Sequence, residues 1–135
     1  MDRTFELTER TGASQDGSFR QQAHLLLSGI FILGGAQAFM EPGGRVNKVA
    51  GAGLPQPKLS VELNGAAMVI GGTLLGTGVA PKLAATILLG ALVPTALVGH
   101  AFWREEAAAT RAGQQTQFLK NLGLIGGLLL VLAEK

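Results

Sequence analysis

Gln37 and Glu41, Glu62 and Asn64, His100 and Trp103, and Lys120 and Asn121 are four small groups of polar or aromatic residues in a chain that is otherwise largely apolar. A histidine can relay protons at neutral pH. A lysine offers three donors, and an asparagine offers both donors and an acceptor. Glu62 is a candidate counter-ion for Lys120. Trp103 lies three residues beyond His100, on the same face of a helix, where its ring could stack on a flat ligand or sit at a lipid interface. The candidate site is therefore Glu62, His100, Trp103, Lys120 and Asn121, and its chemistry would be hydrogen bonding to, and protonation of, a carbonyl-bearing ligand.

These residues can act together only if the chain brings them to one place, and the apolar runs between them supply the means. The first run without charge covers residues 21–40, long enough as a helix to cross the ~30 Å core of a bilayer. Glu41-Pro42-Gly43-Gly44 stops it. A Gly- and Pro-rich loop covers 41–58, and a second apolar run follows at about 59–78. A short turn at 77–81 leads to a third helix at about 81–103, with Pro81 suited to its first turn and Pro94 predicting a kink. The fourth run is short: only 121–133 is uncharged, so the span should begin near 117 and include Lys120, or else be re-entrant. Residues 1–20 read as a flexible polar tail ahead of one membrane domain at 21–135, and 107–117 as a surface extension. Ala36-Gln37-Ala38 has the spacing of a signal-peptide cleavage site, but the charged, mixed-sign tail before it does not fit a secretory n-region.

The fold class expected is an all-α membrane protein, a four-helix antiparallel bundle. Alternating crossings then place the end of helix one, the start of two, the end of three and the start of four at the same membrane face, which gathers the candidate residues. In lipid such groups turn toward the bundle interior or its mouth. Helix contact in lipid relies on small residues, so Gly72 and Gly76 in the second helix, and Gly123 and Gly127 in the fourth, are expected packing positions, or a homodimer face. Glu62 shares a stripe with Gly72 and Gly76, and Lys120 with Gly123 and Gly127, which predicts that both charges face neighbouring helices.

Composition supports this and narrows function. Hydrophobic residues make up 47% and charged residues 15%, against about 25% charged in a typical soluble domain. A net charge of +2, without a basic run, does not fit nucleic-acid binding. Cysteine is absent, which removes disulfides, thiol catalysis and thiolate metal sites. His24 and His100 fall at opposite membrane faces and cannot share one haem, and no metal site is expected. Six cationic residues on the candidate-site face against five on the other give only a weak lean toward a cytoplasmic site.

Four segments carry a family resemblance: Gly53-Leu54-Pro55-Gln56-Pro57; residues 71–78, Gly71-Gly72-Thr73-Leu74-Leu75-Gly76-Thr77-Gly78; Gly99-His100-Ala101-Phe102-Trp103; and the run from Phe118-Leu119-Lys120-Asn121 to Leu130. With these the chain resembles the DoxX family of small four-helix bacterial membrane proteins over residues 21–135. The resemblance implies a multi-pass protein of the bacterial cytoplasmic membrane. Some relatives are membrane subunits of quinone-linked oxidoreductases, which implies a quinone as ligand and a redox partner protein. Many relatives end the first helix in a lysine-containing motif, whereas Gly34-Gly35-Ala36-Gln37-Ala38 is uncharged here. Two other readings stay open. His100, Trp103 and Lys120 would also serve as an interfacial belt on a non-catalytic anchor or assembly subunit. Transport of a small solute is less favoured, because only threonines such as Thr73, Thr86 and Thr95 lie at mid-depth.

Overall fold

The structure, a computed structural model, describes residues 2–135. Among these residues four helices are long and apolar enough to cross a membrane. α1 (Asp2–Met40) is followed by a short α2 (Gly44–Gly51), α3 (Pro57–Thr77), α4 (Pro81–Pro94) and α5 (Ala108–Ala133). Between α4 and α5 the chain makes a π-helical turn (Thr95–Gly99) and a 3₁₀ turn (Phe102–Arg104). The protein is an all-α membrane protein whose interior is built from Phe31, Leu75, Ala84, Ala85, Leu88, Leu92 and Leu128. Leu26, Leu33 and Leu130 are at least 68% exposed, which is costly in water and ordinary against lipid.

α1 packs chiefly on α3, α3 on α4 and α4 on α5. The tightest of these seams is made by glycine. A Cβ built on Gly35 would lie 2.6 Å from the Gly65 carbonyl oxygen, and one on Gly65 would lie 2.6 Å from the Gly35 oxygen. The two backbones cross in contact, as helices do in lipid where small residues allow it. Farther along, Gly72 meets Phe31 and Ile32, and Gly76 meets Ser28, so this face of α3 lies on α1. α1 and α5 have no comparable seam; Leu27 lies against Gly127, and His24 bonds to Glu134 just beyond α5.

Several features depart from the sequence reading. Residues 2–20, expected to be a flexible tail, are helical and continuous with the first span; every one of them is exposed. The loop at 41–58 contains α2, where Val46 and Val49, one turn apart, are half-buried. α5 has 26 residues and is long and apolar enough to cross a membrane, because the segment at 108–117 extends its axis. Pro94 does more than kink the third span. The α-helix ends there and widens into the π turn, since proline supplies no N–H to the preceding carbonyl ladder.

Candidate functional site

The broken end of the third span needs its freed polar groups satisfied, because lipid supplies no water. Neighbouring elements do this. Asn64 of α3 donates from Nδ2 to Thr95 Oγ1 at 3.0 Å, and the Thr95 hydroxyl donates to the Ala91 carbonyl at 2.8 Å. Lys48 of α2 donates from Nζ to the Gly99 carbonyl at 2.8 Å. The next residue, His100, leaves the helix with φ −123° and bonds through Nδ1 to Gln114 Oε1 of α5 at 2.8 Å. An amide oxygen can only accept, so Nδ1 carries the proton; Nε2 is then the atom that accepts in the neutral ring and donates in the imidazolium.

Lys48, Asn64, Thr95, Gly99 and His100 line one cavity of about 680 Å³, which lies between α1, α2, α3, the end of α4, the π turn and α5. Its walls are mainly apolar, including Phe31, Met68, Leu92 and Leu124; Lys48, Asn64, Thr95, His100 and Asn121 are polar points in it, and Arg45, Ser60 and Gln117 add others. Asn121 is 8% exposed, and its side-chain Nδ2 is buried with no hydrogen-bond partner. A buried donor left unpaired costs ~1–3 kcal/mol. Asn121 is also part of the cavity wall, so a donor without a protein partner stands at the edge of a mainly apolar cavity, as suits a group kept for a ligand. Both α1 and α5 contribute wall residues, and the two helices share no tight seam on that side.

Of the five residues singled out from sequence, the structure brings His100 and Asn121 to this cavity. The other three lie elsewhere. Glu62 does not pair with Lys120; it meets Lys58, one turn earlier on its own helix, at 3.8 Å. Lys120 is exposed, because α5 is rotated from the expected stripe: Asn121, Leu128 and Val131 face inward. The bulky Leu128 and Val131 fill the bundle interior, which turns Lys120 and Gly123 outward; Gly123 has no neighbour within 4 Å. Trp103 is 51% exposed and stacks edge-on with Phe102 and Phe118 at centroid distances of 5.2 and 5.6 Å, an aromatic cluster on the bundle surface.

Lys48, Thr95 and Gln114 escaped the sequence reading of the site. For Lys48 the signal was α2 itself, where Val46 and Val49 repeat at helical spacing and set the lysine beside the mouth of the cavity. The second missed feature lies at the opposite end. His24, 3% exposed, bonds through Nε2 to both oxygens of Glu134 at 2.8 and 3.1 Å, with Arg20 Nε 3.9 Å from the same carboxylate. Among the described residues no group of three or more His, Cys, Asp or Glu side chains is placed to hold a metal ion.

Comparison with known proteins found no match among curated proteins or solved structures. A family model for DoxX matches residues 23–101, from the membrane part of α1 through α2, α3 and α4 to the residue after His100. The match thus takes in three of the four spans and most of the cavity wall, and with four apolar helices around it, the chain belongs to the DoxX family.

Proposed function

We propose that the cavity binds a quinone-type lipid and that the protein is the membrane subunit of a quinone-linked redox system in the bacterial cytoplasmic membrane. The observation that carries this reading is Asn121, whose Nδ2 has no partner, in the wall of a mainly apolar cavity of about 680 Å³. That volume lies within the usual range for small-molecule sites. A flat ring bearing two carbonyl acceptors suits the donors present, and an apolar tail suits the loosely closed α1–α5 side. Asn121 would hold one carbonyl; Lys48, with only one of its donors committed to Gly99, would meet another. A bound quinone supplies two-electron chemistry coupled to proton uptake. His100 is the proton-handling group, held by Gln114 at Nδ1 and able to pass a proton at Nε2. Electrons would come from a partner protein.

Asn121→Leu tests this directly. Leucine is close in size and removes an unsatisfied buried amide, so the variant should be as stable as the parent or about 1 kcal/mol more stable. Its affinity for a short-chain benzoquinone, measured by titration in detergent, should fall about tenfold through loss of one hydrogen bond. Unchanged affinity in Asn121→Leu, or no binding by the parent protein, would overturn the reading.

A specific feature favours a second role beside the first. The helical extension at residues 2–20 is wholly exposed and, at ~1.5 Å per residue, projects about 28 Å beyond the span. Such an arm suits attachment of a soluble partner, consistent with an assembly subunit.

A further inference from the structure

The end of the bundle that holds His24 has its own cavity, about 240 Å³, where the start of the first span, the turn between α3 and α4, and the end of α5 converge. Arg20, Lys82 and Lys135 contribute three cationic side chains to its lining, against one carboxylate side chain, Glu134. That carboxylate is already engaged by His24 at 2.8 and 3.1 Å and approached by Arg20. Among the described residues neither Lys82 nor Lys135 has an acidic group within 4.0 Å. α4 begins at the same cavity, with Pro81 in its lining and the first intrahelical bond running from Ala84 N to the Ala80 oxygen at 2.9 Å. The N–H groups of Lys82 and Leu83 precede that bond and have no intrahelical acceptor, and the start of a helix carries partial positive charge.

We propose that this cavity binds a phosphate group at the membrane surface, either the headgroup of an anionic lipid or free phosphate. Isolated cations at headgroup depth are common and need no ligand. Here they converge on a concavity shared by three parts of the chain, together with a helix N-terminus, which is the arrangement by which basic pockets between membrane helices hold phosphorylated headgroups. The proposal is independent of the quinone reading, because the two cavities share no lining residue.

The experiment uses the full chain in nanodiscs of phosphatidylcholine alone or of phosphatidylcholine mixed with phosphatidylglycerol. Native mass spectrometry should find phosphatidylglycerol retained by the parent protein. The double variant Lys82→Gln and Lys135→Gln should retain it about twenty-five-fold less tightly, about fivefold per cation. Lys58→Gln, at the other face, serves as a charge control and should behave as the parent. Melting in pure phosphatidylcholine checks that all three proteins are folded. Stabilisation of the parent by inorganic phosphate in pure phosphatidylcholine, lost in the double variant, would identify free phosphate as the source. Equal lipid retention by parent and double variant, or equal loss in Lys58→Gln, would overturn the proposal.

Discussion

Gly65→Leu is expected to be the most damaging single substitution in the chain. The new Cβ would lie 2.6 Å from the Gly35 oxygen and 2.9 Å from the Phe39 nitrogen. Both are backbone atoms of α1, so no side-chain rotation relieves the clash and the helices must part. Overpacking against movable side chains costs ~1–3 kcal/mol, and obstruction by backbone puts this change at about 3 kcal/mol or more. Separation would also forfeit the van der Waals contact on which association in lipid depends. Unfolding by graded denaturing detergent, followed by circular dichroism, measures the loss. Gly123→Leu is the control: its Cβ would meet nothing within 4 Å, and it should change stability by no more than about 0.5 kcal/mol. Similar losses for the two variants would mean that the α1–α3 crossing is not the seam that holds the bundle.

The end of the bundle at which each residue lies was legible in the sequence, because a bilayer demands long uninterrupted apolar runs and alternating crossings assign every run end to a face. That logic grouped His100 and Asn121, together with Asn64, at one end, and all three line the same cavity. Rotation about each helix axis was not legible. Lys120 and Asn121 are consecutive, yet one is exposed and the other buried, and only the packing of Leu128 and Val131 decides which. The glycine pattern suggested the opposite rotation for α5, since Gly123-x-x-x-Gly127 looks like a contact stripe wherever it faces. Glu62 was misassigned for a related reason. A salt bridge needs a neighbour in three dimensions, and Lys58, one turn away, was nearer than any residue on another helix. The helical state of residues 2–20 was hidden because their polar composition resembles that of a solvated tail; continuity with a long apolar helix extends the structure backward without a new nucleation step.

Helix order and rotation together also concealed the pair that joins the two ends of the chain, and this pair carries the second large effect. His24 and Glu134 lie 110 positions apart, and sequence alone placed His24 only at a membrane face. Their contact is the main polar link between α1 and the end of α5, on the side of the bundle that lacks a tight seam. His24→Ala would leave the Glu134 carboxylate, 20% exposed, with Arg20 Nε at 3.9 Å as its nearest cation, and would open a void at a site that is 3% exposed. Losing a hydrogen bond to a carboxylate costs ~1.5–3 kcal/mol, and with the void left by the ring this puts the change at about 2–3 kcal/mol. His24→Gln, which keeps a donor, should cost less. Glu134→Gln keeps an acceptor for the imidazole and removes the charge, so in the His24→Ala background it should restore part of the lost stability. A double-mutant cycle reads that coupling, and hydrogen exchange should show faster opening of residues 128–133 in His24→Ala while α3 remains protected. Strict additivity of the two substitutions, with unchanged exchange at the end of α5, would mean that the contact does not fasten α5 to α1. Coupling with local opening would identify the His24–Glu134 pair as the clasp between α1 and the end of α5.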